Sequence, residues 1–333
     1  MIHSALEAVM AGTSRLPNAM RAAAIDRFGA PDVLSIHELP LPEIGAGDVL
    51  IAVHTAGVGG WDADMRSGWW PAGRARFPLV LGSDGAGKVA AVGSRVRRLA
   101  PGERVYAYSF ANPKGGFYAE YVAVPVECAA VVPASIDLRH AGAVPTVGLT
   151  ALQGIDDALA LRKGESILIH GAGGGVGTLA VQFAHLRGAR ILATATGEDG
   201  IALVRRLGAQ LAVDGRTEDI GAQARAFAPE GVDAVLGLAG GDALTRCLEA
   251  LRPGGRLAYP NGVQPAPRKR KGVEIIPYDA VAGLREFRRL GRASEAVRLK
   301  VPIAAVFSLA EAAQAHERLA AGHVRGKIVL KIS

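Results

Sequence analysis

The residues in this chain best placed to do chemistry are glycines. Between Gly171 and Gly177 five of seven positions are glycine, in the run GAGGGVG. An apolar stretch, Ile167, Leu168 and Ile169, stands just before it and is of the kind that lies buried in a parallel sheet. Val176, Leu179, Ala180, Phe183 and Ala184 follow at helical spacing on one face. The glycines therefore occupy a turn between a strand end and a helix start. A helix start offers unpaired N–H groups and the positive end of the helix dipole, and a turn without side chains lets a pyrophosphate approach both. The expected chemistry is the seating of a dinucleotide over Ala172, Gly173, Gly174, Gly175 and Val176. The spacing is A-x-G-x-x-G at Ala172, Gly174 and Gly177, with alanine in place of the first glycine. A ligand-free tight turn is the alternative. A second strand, Ile191 to Thr196, after a turn at Gly188 supplies the βαβ context that argues against it.

Other reactive types are sparse. Trp61, Trp69 and Trp70 place all the tryptophans within ten residues, either as a flat wall for a planar substrate or as a small structural cluster under a loop. Asp64 among them is either a proton relay or a solvated carboxylate. Cys128 and Cys247 form no metal or redox pattern, and no pair among the eight histidines has ligand spacing. His170 and His54 read as hydrogen-bonded structural imidazoles. Arg268 to Lys271 is a dense basic run, either a docking point for a carrier phosphate or nucleic acid, or a solvated loop.

The elements that must position these residues follow two rhythms. At 333 residues, 50% hydrophobic and 21% charged, the chain is globular in composition and long enough for two domains. No apolar run has the length of a membrane span. The net charge of +7 is spread along the chain and suits a phosphate-rich cofactor as well as nucleic acid, which is not an expected partner. Residues 1–19 lack a secretory pattern and are expected to be a loosely held extension, with the cytoplasm as compartment. Up to residue 143 come short strands broken by Gly and Pro: Val49 to Val53, Lys88 to Val92, Arg104 to Tyr108, Tyr118 to Val124 and Ala130 to Val132. Beyond it strands and helices alternate, which predicts a doubly wound parallel sheet with ligands at the strands' carboxyl ends. Leu244, Cys247, Leu248 and Leu251 form a helical stripe, and Pro253-Gly254-Gly255 is expected to turn the chain into a strand at Arg256 to Tyr259. A charged helix near 282–298, a second near 309–319 and a closing strand at 327–332 complete the reading.

The ordered motifs resemble the zinc-independent quinone oxidoreductase branch of the medium-chain dehydrogenase/reductase superfamily. They include FGAPDVL (Phe28 to Leu34), GAGDVLIAV (Gly45 to Val53), FPLVLGSDGAGKVAAVG (Phe77 to Gly93), GERVYAY (Gly102 to Tyr108) and GFYAEYV (Gly116 to Val122). The glycine turn, LRPGGRL (Leu251 to Leu257) and GHVRGKIVL (Gly322 to Leu330) extend the match. The resemblance implies an α/β protein with a GroES-like β-rich catalytic domain (20–143 and 281–333) and a Rossmann NAD(P)-binding domain (144–280). It also implies a homodimer paired through a sheet edge near Val273 to Tyr278. The implied activity is NADPH-dependent hydride transfer to a quinone or an α,β-unsaturated carbonyl. An enoyl-thioester reductase, or an NADPH-bound protein that acts by binding, are the alternatives.

The same resemblance assigns contacts. Thr150 should lie near the nicotinamide, unless it is only a helix-start hydroxyl. Thr196 and Gly197 should lie near the adenosine, and Leu238, Ala239 and Asn261 beside the nicotinamide half, although Asn261-Gly262 could equally be a turn. Zinc ligands of metal-dependent relatives correspond to Gly59 and Ser83, so no zinc is expected. Without a Lewis acid the substrate must accept hydride readily, as quinones and enones do by spreading the charge. The strand ending Thr194-Ala195-Thr196-Gly197 has no acidic residue to repel a 2′-phosphate, which favours NADPH over NADH. Against it, Glu198 and Asp199 follow at once, and the branch's phosphate-contacting lysine and tyrosine correspond to Gly200 and Gly215; Arg216 is either the substitute charge or a solvated loop arginine. In the substrate pocket the branch's asparagine and tyrosine correspond to Gly59 and Asp64, and an enoyl-reductase acid tyrosine to Trp70. No catalytic acid is assigned.

Overall fold

The structure, a computed structural model, describes residues 16–333. Of the extension expected over 1–19, residues 1–15 lie outside the described residues, and Ala19 already belongs to the first strand.

The β-rich part is built from β1 (Ala19–Ile25), β2 (Ser35–Pro40), β3 (Asp48–Val58), α1 (Gly60–Ser67), β4 (Leu79–Val80), β5 (Asp84–Val92), β6 (Arg104–Tyr108), β7 (Tyr121–Pro125) and β8 (Ala129–Val131). Helices α2 (Leu138–Ala141) and α3 (Pro145–Gln153) carry the chain across to the second part. There β9 (Ser166–His170), α4 (Gly175–Leu186), β10 (Arg190–Ala195), α5 (Gly197–Arg206), β11 (Leu211–Asp214), α6 (Ile220–Phe227), β12 (Val232–Gly237), α7 (Asp242–Glu249), β13 (Leu251–Pro260) and β14 (Glu274–Tyr278) alternate. Then come α8 (Leu284–Val297), β15 (Ile303–Ser308), α9 (Ala312–Ala320) and β16 (Lys327–Lys331).

The alternating segment forms a six-stranded parallel sheet in the order β11-β10-β9-β12-β13-β14, the doubly wound arrangement. Its order reverses between β9 and β12, so the glycine turn after β9 opens at the switch point where such sheets bind ligands. All of β9 is buried, as the run Ile167 to Ile169 required. The GroES-like part is a seven-stranded sheet that takes β15 and β16 from the far end of the chain, with β16 antiparallel to β3. A smaller sheet, β2-β1-β4, lies beside it.

Three local expectations change. The helical stripe read on α4 is not its only buried face: every residue from Gly177 to Ala184 is buried, because α3 and α8 cover the side turned away from the sheet. The turn expected at Pro253-Gly254-Gly255 lies inside β13, where pairing to β12 jumps from Leu251 to Arg256 and the intervening residues bulge outward. Helix α8 buries Phe287, Leu290 and Ala293 in the same apolar cluster as α3 and α4, so the returning chain joins the seven-stranded sheet only from Ile303 onward.

Candidate active site

A cleft of about 1040 Å³ lies where the two large sheets meet. Its cofactor half is mostly backbone. Helix α4 starts at Gly174 with no capping side chain, so the first-turn N–H groups face a cleft walled by Gly174, Gly175, Val176 and Gly177. A Cβ on Gly177 would collide with the Gly171 carbonyl, which is why the helix can approach the strand end so closely. Ala172 and Gly173 stand behind this wall. The Ala172 N–H donates to the Thr194 carbonyl at 2.9 Å, and the Gly173 carbonyl accepts from Gly326 N–H at 2.9 Å, tying the C-terminal segment to the turn. His170 supports the turn from below, its Nδ1 2.8 Å from the Thr194 hydroxyl oxygen, which also accepts from Gly171 N–H. Burial, helped by Arg246, lowers the His170 imidazole to about 4, so it is neutral near pH 7.

Leu238, Thr150 and Asn261, expected beside a nicotinamide, line the cleft, while Ala239 packs behind Gly171. Thr150 is no helix-start residue: it sits well inside α3, and its hydroxyl donates to the Thr146 carbonyl at 2.8 Å. Asn261 lines the cleft from a turn, and its amide donates to Asp279 at 2.7 Å. The buried Thr146 hydroxyl has no partner among the described residues and belongs to the same wall, where a bound group would satisfy it.

Just after β10, where the adenosine is expected, Thr196 precedes α5 and Gly197 opens it. Asp214 accepts from Gly197 N–H at 2.8 Å and from Arg216 N–H at 2.9 Å, and these backbone hydrogen bonds hold its carboxyl below the ordinary range. The Arg216 side chain is exposed. The cation that overhangs this point is Arg325, from the segment before β16: it pairs with Asp199 at 2.8 Å, and a Cβ on Gly197 would lie 3.9 Å from its guanidinium.

The substrate half is built of side chains. Trp61 and Trp69 stack with ring centroids 5.4 Å apart, and Phe110 closes the wall edge-on to Trp61 at 5.6 Å. Trp70 is not in this wall but packs on the core of the β-rich part, two residues after the positive-φ turn at Gly68 that ends α1. Asp64 borders the cleft from α1, which the sequence pattern did not reveal, and is exposed. Phe110, Tyr108 and Lys327 also line the cleft and were missed, since nothing local distinguishes a phenylalanine or lysine at a strand end. Burial raises the Tyr108 phenol well above its ordinary value, with Asp84 and Asp62 adding to the effect, so it stays protonated as a hydrogen-bond donor.

Under the wall lies a buried polar group. Asp62 is 2% exposed and accepts from Ser83 N–H at 2.9 Å, the Ser83 hydroxyl at 2.8 Å, Gly59 N–H at 2.9 Å and the Tyr118 hydroxyl at 3.3 Å. Tyr118 in turn lies 3.1 Å from His316 Nε2. Burial pushes the Asp62 carboxyl up to about 6, against the Lys327 ammonium and with Asp84 adding to the push. Burial also lowers His316 to about 3, with Arg66 contributing.

Two families match the chain: the alcohol dehydrogenase GroES-like domain over residues 45–134, and a family described as zinc-binding dehydrogenase over 207–330. The quinone oxidoreductase of Lama guanicoe is 31% identical, covering 93% of this chain and 97% of its own. The chloroplastic NADPH-dependent alkenal/one oxidoreductase of Arabidopsis thaliana is 32% identical, covering 95% and 80%. A crystal structure of an NAD-dependent alcohol dehydrogenase superposes with a TM-score of 0.87 at 31% identity, covering 94% of this chain and all of that one. The chain belongs to the quinone oxidoreductase branch of the medium-chain dehydrogenase/reductase superfamily. This placement accounts for the cleft between a GroES-like sheet and a parallel sheet, with the glycine turn at their junction.

Membership in this branch leaves the metal to be judged on the donors present. Gly59 offers no side chain, and a Cβ there would come within 3.1 Å of the Lys327 ammonium. The Ser83 hydroxyl is committed to Asp62. Among the described residues no group of three His, Cys, Asp or Glu side chains converges to hold a metal. The residues at the expected ligand positions do not fit zinc. Among the same residues no helix is long and apolar enough to cross a membrane.

Proposed function

We propose that this chain is an NADPH-dependent reductase that transfers hydride, without a metal, to a quinone or an α,β-unsaturated carbonyl. The observation that carries the reading is that an uncapped helix start and a stacked aromatic wall open into one cleft. Gly174 to Val176 would hold the pyrophosphate through backbone N–H groups, and Thr150, Leu238 and Asn261 would flank the nicotinamide. Bound NADPH supplies the hydride; the residues around it bind, orient and exclude water. The faces of Trp61 and Trp69 suit a planar conjugated acceptor.

NADPH is the preferred coenzyme in this reading. Arg325 is the basic partner for a 2′-phosphate at Gly197, whereas Asp214 and Asp199 are the groups that would favour NADH. The thioester alternative has no support from the basic run inside the cleft, since no residue of Arg268 to Lys271 lines it and Arg270 is held by the Leu248 and Leu251 carbonyls. Strand β14 lies at the edge of the parallel sheet and is the surface through which two copies would pair. The test is a panel of quinones, enones and enoyl-CoA esters, following nicotinamide absorbance with each coenzyme, beside elemental analysis and light scattering. Turnover of quinones or enones with NADPH, in a zinc-free dimer, is expected. Absence of turnover with both classes, stoichiometric zinc, or a clear NADH preference would each overturn the corresponding part.

A further inference from the structure

Lys327 is the first residue of β16 and only 6% exposed, an unusual position for a lysine. Its stem runs through a sleeve of glycines. Cδ lies 3.6 Å from where a Cβ on Gly175 would stand, Cε 3.0 Å from that of Gly57, and Nζ 3.1 Å from that of Gly59. The side chain thus starts at the glycine turn after β9 and delivers its ammonium to Gly59, at the border of the cleft that Trp61 and Asp64 also line.

Its surroundings leave that ammonium uncommitted. Two buried acids stand near it, Asp62 and Asp84, the latter with Oδ1 against the same Gly57 position as Lys327 Cε, but the oxygens of Asp62 already accept from Gly59, Ser83 and Tyr118. Asp84 accepts from Thr146 N–H at 2.9 Å. Among the described residues Lys327 Nζ has neither an ion pair within 4.0 Å nor a hydrogen bond, and it borders the cleft. A buried cation facing a cavity calls for an anionic or strongly dipolar partner within it.

We propose that Lys327 is the electrophilic residue of the reaction, its ammonium donating to the carbonyl oxygen of the substrate as negative charge develops there. The inference rests on the reductase reading above and specifies how that site handles charge. The β-carbon of the enone accepts the hydride of NADPH, which leaves as NADP+. The C=C pair moves to the α-carbon–carbonyl bond, and the carbonyl π pair moves to oxygen, giving an enolate held by Lys327. A proton from water then adds to the α-carbon and restores the carbonyl, so enone, NADPH and one proton give saturated ketone and NADP+. The bare Gly59 and Gly57 are what leave room for the lysine.

The test compares Lys327→Met, Lys327→Arg and Gly59→Val with the parent chain, using 4-nitrophenolate as an oxyanion probe and nitrobenzene as its neutral counterpart, without cofactor. Loss of the cation is expected to weaken the phenolate about tenfold and nitrobenzene less than twofold. Lys327→Arg should keep the phenolate within about threefold. Gly59→Val, which leaves the lysine in place but fills its exit, should resemble Lys327→Met, so a folding defect in one variant leaves the other decisive. With but-3-en-2-one at saturating NADPH, kcat should fall ~100-fold in Lys327→Met while NADPH affinity stays within about twofold, as for loss of an oxyanion donor. Equal losses for both probes, or weakened NADPH binding with kcat retained, would overturn the assignment. If the parent chain prefers the phenolate through Lys327 yet reduces neither enones nor quinones, the oxyanion site stands and the reductase reading falls.

Discussion

The two halves of the cleft are made by different means. The cofactor half is one continuous piece of chain, β9 through α4, and its working groups are main-chain N–H donors aimed by helix geometry. The substrate half draws Trp61 and Trp69 from α1 and its end, Phe110 from the segment after β6, and Lys327 from the start of β16. The first kind of site needs space, so its requirement is the absence of side chains. The second needs particular side chains brought together by the fold. A site built of backbone depends little on which side chains stand at its rim.

If this contrast holds, the largest effect of substitution should fall on the backbone half. Gly177→Val drives a side chain into the Gly171 carbonyl, and NADPH affinity measured by fluorescence titration should drop ~100-fold or more, with a loss of stability of about 3 kcal/mol. Retained binding would mean that the helix start does not seat the pyrophosphate.

Acid should act on buried groups behind both halves. His170 and His316, lowered to about 4 and 3, stay neutral in the fold while their unfolded counterparts protonate below about 6.5, so each loses stability as pH falls from there toward its folded value. The slope is about 1.4 kcal/mol per pH unit for each histidine. Asp62, raised to about 6, works in the opposite sense, since below that value the fold binds the extra proton and gains. Urea denaturation across pH 6.5 to 4 should show a net decline, and His316→Phe should remove about 1.4 kcal/mol per unit of slope. An unchanged slope would place that imidazole in water.

A smaller effect sharpens the difference at the rim. Arg325→Ala should weaken NADPH about tenfold and leave NADH within about twofold, read as Kd for each coenzyme. Equal effects on both would remove Arg325 from 2′-phosphate recognition. The smallest effect belongs to the aromatic wall. Trp69→Ala removes a half-exposed ring and should raise KM for a naphthoquinone about threefold to fivefold with kcat within about twofold. A fall in kcat of larger size would make the wall part of the chemistry and blur the distinction.

What the amino-acid order determined was everything carried by neighbours in the chain. The apolar run into glycines and back into a helical stripe announced the strand, turn and helix, since each depends on spacing over a few residues. The alternation after residue 143 announced the parallel sheet for the same reason, and Arg104 to Tyr108 matched residue for residue. Helix α1 escaped because glycine at its start and few apolar residues give it almost no periodic signal.

Tertiary structure alone decided which side chains face the cleft. Neighbouring Trp69 and Trp70 look alike in the chain, yet one lines the cleft and the other packs on the core. Arg325 comes to lie over Gly197 and Lys327 at the border of the cleft because β16 crosses back to pair with β3 and brings the C-terminal segment onto the glycine turn. Convergence of residues hundreds of positions apart is set by sheet topology and packing, for which no spacing in the sequence is a measure.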